Sequence, residues 1–185
     1  MDGERSFSAA VLAGGRSSRM GRDKAALPYH GATLLEHQLS KLRALGIGDL
    51  MISGSAARIP GARNVPDVYP GQGPLGGIHA CLAAAKHAAV LFLSVDTPLL
   101  PAEALRALLD AHRGGVTLLR HGEQTEPLLG VYDRDLRALC EPILQSDQTT
   151  VWRLLEQVPV TLVTADCGEQ CFFNCNTPAE YDALI

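Results

Sequence analysis

The sequence predicts an α/β fold: one doubly wound, mostly parallel β-sheet with helices on both faces. Three observations carry this expectation. Short apolar runs alternate with amphipathic stretches along the chain, the pattern of successive βαβ units. The run AAVLFLSV at 88–95 is continuously apolar, as befits a strand covered on both sides. Neither a long linker nor a low-complexity tract or repeat interrupts the 185 residues, so 1–185 reads as a single domain.

The elements follow in order. Residues 8–13 read as a strand that ends in a loop at Gly14-Gly15. Residues 33–45 read as a helix: Leu34, Leu35, Gln38, Leu39, Leu42 and Leu45 mark its inward stripe, and Gly46 stops it. Strands are expected at 50–52 and 64–65. A helix over 75–85 is entered through Pro74, proline being favoured in a first turn. The buried strand at 88–95 leads to a helix at 101–112, a turn at Gly114-Gly115 and a strand at 116–120. Further strands are expected at 128–132, 160–164 and 171–173. Helices are expected at 134–144, 151–157 and after Pro178.

Composition narrows the function classes. Hydrophobic residues at 46% and charged residues at 19% are ordinary for a globular domain. A net charge of −4 argues against a nucleic-acid surface, which needs a basic footprint. The start, MDGERSFSAA, has no apolar secretory core, and no apolar run approaches the roughly 18 residues of a membrane span. The expected location is the cytoplasm. Of five cysteines, Cys167, Cys171 and Cys175 recur every fourth residue, which invites a metal reading. Zinc ligands are usually paired more tightly and no histidine lies in this segment, so the three are expected to be buried small hydrophobes.

The chemistry starts at the first loop. Leu12-Ala13-Gly14-Gly15 is followed by Arg16, Arg19, Arg22 and Lys24, so free backbone N–H groups and cations lie close together. That combination suits an anion, and equally a solvated surface turn. Gly71-Gln72-Gly73-Pro74-Leu75-Gly76 spells G-x-G-x-x-G, but the turn-like DVYP precedes it where a dinucleotide site needs a strand. The Walker spacing is absent, since Gly21 is followed by Arg22 rather than Lys-Ser/Thr. Asp96 follows the buried run and precedes Thr97-Pro98, which places a carboxylate at a strand's carboxyl end. There it could ligate a hard cation or serve as a turn or N-cap residue.

Leu12-Ala13-Gly14-Gly15-x-x-x-Arg19-Met20-Gly21-x-Asp23-Lys24 resembles the signature of the nucleotidyltransferases that make activated sugars and cofactors. The AGG form is similar to the molybdenum cofactor guanylyltransferase branch. Segments 66–82 (PDVYPGQGPLGGIHACL), 92–101 (FLSVDTPLLP), 126–132 (EPLLGVY) and 172–181 (FFNCNTPAEY) fit the same family in the same order. Two departures stand out. Gly21-Arg22-Asp23-Lys24 is one residue shorter than the loop of many members, and Ser53 stands where an Asn commonly contacts the base.

The resemblance implies a Rossmann-like nucleotide-diphospho-sugar transferase fold and transfer of GMP from GTP to the terminal phosphate of molybdopterin or the molybdenum cofactor. It makes Arg19, Lys24 and Asp96 the catalytic residues, with Mg²⁺ on Asp96. Nucleotide would be bound by Leu12, Ala13, Gly14, Gly15, Lys24, Ser53, Asp67, Gly73, Pro74, Leu75 and Asp96. The second substrate would meet Asn174 and Asn176. Asp67 also reads as a plain turn residue, and the two asparagines as turn or cap residues ahead of Pro178. Molybdoenzyme maturation proteins are implied partners, and neither nucleic acid nor membrane is. His79 carries no role beyond helix packing. Cytidylyl transfer to the same cofactor, a sugar-phosphate acceptor, or a non-catalytic nucleotide-binding maturation factor remain alternatives.

Overall fold

The computed structural model describes residues 6–14 and 23–185. The first strand, β1 (Ser8–Leu12), is buried throughout and lies mid-sheet. A short hairpin of β2 (Pro28–Tyr29) and β3 (Ala32–Thr33) leads into α1 (Leu34–Ala44). Its turn residues His30 and Gly31 sit at φ +47° and +81°, as a two-residue hairpin turn of the type I′ class requires. Thr33 then caps α1 reciprocally with Glu36, satisfying N–H groups that the first turn would leave open. The chain continues through β4 (Asp49–Ser53), β5 (Ala62–Val65), α2 (Gly73–Ala84), β6 (Ala89–Ser94) and α3 (Ala102–Ala111). It then forms β7 (Val116–His121), β8 (Gln124–Asp133), α4 (Arg137–Leu144), α5 (Val151–Leu155), β9 (Val160–Thr164) and α6 (Pro178–Asp182).

The seven-stranded sheet has the order β5-β4-β1-β6-β8-β7-β9, and only β8 runs against the rest. Alternation along each strand divides the core in two. Ala9, Val11, Leu91 and Leu93 face the leucines of α1 and α3, while Ala10, Leu12, Val90 and Phe92 face α2, α4 and α5. Helices thus cover both faces, and the sheet is doubly wound. From β1 the chain builds outward to β4 and β5, then returns to place β6 on the other side of β1. Such a switch opens a crevice at the carboxyl ends of the strands.

Several sequence expectations need correction. Residues 171–173 are not a strand: a 3-10 helix spans Glu169–Phe172, entered through Gly168 at φ +75°. The apolar Cys-Phe-Phe triplet there supplies a buried plug, Phe172, rather than a sheet edge. The helix expected at 134–144 divides into a 3-10 turn at Arg134–Leu136 and α4, and α5 stops at Leu155. The helix expected from 75 begins at Gly73. Among the described residues no three His, Cys, Asp or Glu side chains gather as a metal site. Cys175 is buried, whereas Cys167 and Cys171 are half-buried at the core's margin, with the Cys171 thiol donating to Cys167 O (2.7 Å). No described helix is long and apolar enough to cross a membrane.

One buried carboxylate ties the amino ends of the strands together. Asp49 accepts from Ser8 Oγ (2.6 Å), the backbone N–H of Lys86 (3.0 Å) and the Arg63 guanidinium (3.0 Å). Burial alone would raise its pKa, but these donors outweigh it and hold the carboxyl below the usual range. The resulting stability is present above the unfolded carboxyl's pKa and is lost as pH falls through the lower folded value. Asp49→Asn should therefore cost about 2–3 kcal/mol at neutral pH and flatten the acid limb of a denaturation profile. An unchanged acid limb would count against this account.

Candidate active site

The site forms where the ends of β1, β4, β5 and β6 meet the loops that follow them. Leu12 and Ala13 end β1 buried, and the chain stays in register with its neighbours one residue further: Ala13 N–H donates to Ser53 O (2.8 Å) and Val95 N–H to Leu12 O (3.0 Å). Gly14 then passes against Gly54. A Cβ on Gly54, which sits at φ +78°, would lie 2.2 Å from Gly14 Cα, so the first loop requires glycine beside it. Gly15 and Arg19, like Arg16 and Arg22, fall outside the described residues.

Beyond that loop, Asp23 caps a 3-10 turn at Lys24–Ala26, its Oδ1 accepting the Ala25 N–H (3.0 Å). The cap fixes the backbone that presents Lys24. Lys24 Nζ donates to Asn176 Oδ1 (2.6 Å) and lies 3.7 Å from Asp96 Oδ2. The lysine and the carboxylate are 14% and 25% exposed, so the group is recessed yet reachable. Cys175 N–H donates to Asp96 O (2.9 Å), locking the 174–176 segment beside the end of β6. Three sequence-predicted residues, Lys24, Asp96 and Asn176, thus converge. Asn174 is exposed, and among the described residues no hydrogen bond joins its side chain to them.

A second cluster lies across β1. Ser53 ends β4 buried, and its hydroxyl donates weakly to Asp67 Oδ1 (3.4 Å) in the loop after β5. Gly77 packs so closely that a Cβ there would sit 2.6 Å from Ser53 Oγ. Gly73 and Pro74 open α2 exposed, with Leu75 buried beneath and no side chain capping the helix start. Among the described residues the first-turn N–H groups of Gly73 and Leu75 thus have no side-chain acceptor capping them.

The structure adds residues that the sequence reading did not single out. Three neighbours on α1 reach under the loop bearing Asp96: Gln38 bonds the carbonyls of Ser94 and Thr97, while His37 and Lys41 both donate to Pro98 O. Their signal in the sequence was a polar residue, Gln38, inside an apolar stripe. On the far side His121 stacks on Phe172 with ring centroids 4.0 Å apart and pairs with Glu126 (2.9 Å), anchoring the segment that leads to Asn176. His79 is buried against the edge of Tyr69, with Glu141 3.5 Å away and neither ring nitrogen hydrogen-bonded among the described residues.

Burial lowers the pKa of Lys41 to about 8, with only a small opposing pull from Cys171. Between that value and an unfolded lysine's roughly 10.4, the unfolded chain holds a proton that the folded one has lost. Stability from this group therefore rises with pH across the window, and burying the charge costs stability below it. Denaturation at pH 7.5 and pH 10 should show the wild type gaining about 2 kcal/mol relative to Lys41→Met. Parallel profiles for the two proteins would refute the shift.

Solved structures share this architecture. Molybdopterin-guanine dinucleotide biosynthesis protein A of Archaeoglobus fulgidus superposes with a TM-score of 0.80 over 96% of both chains, at 23% identity. A Mycobacterium tuberculosis protein, solved in complex with manganese, does so at 0.73 over 97% of both chains, at 20% identity. The fold is that of the Rossmann-like nucleotidyltransferases, and the chain is an enzyme of this class. Residues 9–162 match the model of the MobA-like NTP transferase domain, and the chain belongs to that family. A molybdenum cofactor guanylyltransferase of Xanthomonas euvesicatoria is 36% identical, with 98% of this chain and 96% of its relative aligned.

Proposed function

We propose that this chain, acting in the cytoplasm as one domain over 1–185, transfers GMP from GTP to the terminal phosphate of molybdopterin or the molybdenum cofactor and releases pyrophosphate. The observation that carries the reading is the meeting of Lys24, Asp96 and Asn176, the first and last 152 residues apart in sequence, at the crevice of a sheet whose relatives include guanylyltransferases. GTP lies along Leu12–Gly14 and Gly15 and over the first turn of α2, where Gly73 and Pro74 offer close approach and Gly73 and Leu75 the N–H groups that Pro74 lacks. Asp67, with Ser53 behind it, takes the ribose or base. Lys24 neutralises the phosphates and the charge that develops on departing pyrophosphate, and Arg19 shares that task. Asn176, with Asn174, receives the second substrate.

No general base is required. A phosphate monoester has a second pKa of about 6, so the acceptor is largely dianionic at neutral pH. The enzyme's work is alignment and charge neutralisation. Asp96 fits Mg²⁺: it is a hard oxygen donor, partly exposed, and no cluster of protein ligands surrounds it among the described residues. Mg²⁺ characteristically takes one or two carboxylates and completes its shell with phosphate oxygens and water. Bound there, it would supply further neutralisation of the triphosphate.

Pyrophosphate release measured with each of the four NTPs, with and without molybdopterin, tests the assignment. Release should require GTP and molybdopterin together. Preference for CTP would assign the cytidylyl branch, and no release with any nucleotide would leave a binding module.

A further inference from the structure

We infer that Gln38 is a positioning residue for Asp96, holding the arch of backbone that presents the carboxylate to its cation. Gln38 lies mid-α1 and is fully buried between Leu34, Leu35, Leu39 and Leu42. A carboxamide in that setting is costly unless bonded. Its Nε2 has two hydrogens, and both are used: one on Ser94 O (2.7 Å), the other on Thr97 O (3.1 Å). Those carbonyls stand on either side of Val95 and Asp96. The amide orientation is fixed by this pair, because the flipped form would set Oε1 against two carbonyl oxygens.

The arch transmits this constraint to the carboxylate. Ser94 Oγ donates to Asp96 Oδ1 (2.5 Å), so the carboxylate's orientation depends on a residue whose carbonyl Gln38 holds. Thr97 Oγ1 donates to the same Ser94 carbonyl (3.2 Å), closing the turn. His37 and Lys41, by contrast, grip Pro98 O beyond the arch. Gln38 Oε1 is buried, and no described residue donates to it. A leucine or methionine would fill the space without stranding an acceptor, so stability alone does not account for glutamine. The position of Asp96 does.

The inference rests on the reading of Asp96 as the Mg²⁺ ligand, and the test separates the two. Gln38→Met, Ser94→Ala and Asp96→Asn are compared with the wild type by Mg²⁺ titration of GMP transfer at saturating GTP. Mn²⁺ binding to the GTP complex is followed by electron paramagnetic resonance, and GTP affinity is measured in EDTA. Loss of a residue that orients a metal ligand typically costs about 10–100-fold in metal affinity. Gln38→Met should weaken Mn²⁺ binding and raise half-saturating Mg²⁺ by about tenfold, with metal-free GTP affinity unchanged. Ser94→Ala, which leaves the core intact, should move the same quantities in the same direction even if Gln38→Met does not fold. Wild-type metal affinity in a folded Gln38→Met protein, or in Ser94→Ala should Gln38→Met not fold, with Asp96→Asn shifted, would overturn the inference and leave the Asp96 reading standing. Equal loss of metal and metal-free GTP affinity would also overturn it, as a general structural defect. No shift in Asp96→Asn would overturn both.

Discussion

Asp96→Asn should abolish most nucleotidyl transfer while leaving the fold and its thermal stability nearly unchanged. A carboxylate after a buried strand could serve as a turn or cap residue, and asparagine would then replace it at little cost. The structure leaves Asp96 in the turn after β6 and gives it no helix to cap. The helix that follows is capped by Pro101 without a side-chain bond, and the Asp96 carboxylate takes Ser94 Oγ and faces Lys24. The backbone bond from Cys175 to Asp96 O survives the substitution, so the 174–176 segment stays in place. What is lost is one negative charge at a recessed, partly exposed position. A neutral amide is a poor ligand for a hard cation, and Lys24 loses its Asp96 counter-charge, Glu180 remaining as a carboxylate that acts on it. Removing one element of such electrostatic organisation typically costs about 10²–10³ in turnover. Activity should fall by that order, and residual activity should need more Mg²⁺. Wild-type turnover at unchanged Mg²⁺ dependence, in a folded protein, would place Asp96 outside the chemistry.

How much of this was legible in the sequence depends on whether the signal is local. Leu34–Ala44 form the helix expected over 33–45, because burial of one face imposes its period directly, and Val160–Thr164 form the expected strand although none of its residues is fully buried. Strand direction is not encoded that way. Residues 128–132 read as a strand, but apolar content alone could not say that β8 runs against its neighbours. The Cys-Phe-Phe triplet at 171–173 misleads for the same reason: three apolar residues look alike in a strand and in a tight turn, and the positive φ at Gly168 decides. In the site, the meeting of Lys24 with Asn176 is invisible to spacing arguments, and the resemblance implies only that Lys24 meets the nucleotide and Asn176 the second substrate. Gln38 was counted into an apolar stripe, correctly for its burial, while its bonds to Ser94 and Thr97 belong to tertiary structure.

Lys24→Ala should cost nearly as much turnover as the loss of Asp96, and for a complementary reason. Its ammonium is held by Asn176 Oδ1 at 2.6 Å and by the more distant Asp96 carboxylate. Its short-range partner is neutral, and the carboxylates of Asp96 and Glu180 act on it from farther away. So placed, it can attract a triphosphate. Ground-state stability owes it little, since a partly exposed ion pair contributes about 0–1 kcal/mol. In the transition state, where charge builds on departing pyrophosphate, a positioned donor is worth about 3–4 kcal/mol. The expected result is therefore a large drop in kcat with a melting temperature near wild type. Lys86→Ala, an exposed lysine whose backbone alone contacts Asp49, should keep full activity. Lys24→Arg should rescue only partly, because a planar guanidinium cannot replace a compact ammonium between Asn176 and Asp96. If Lys24 and Asp96 act on the same phosphates, the double substitution should cost less than the two single losses added together. Strict additivity would mean that the two charges serve separate steps, and equal activity of the Lys24 and Lys86 variants would return Lys24 to the solvated surface.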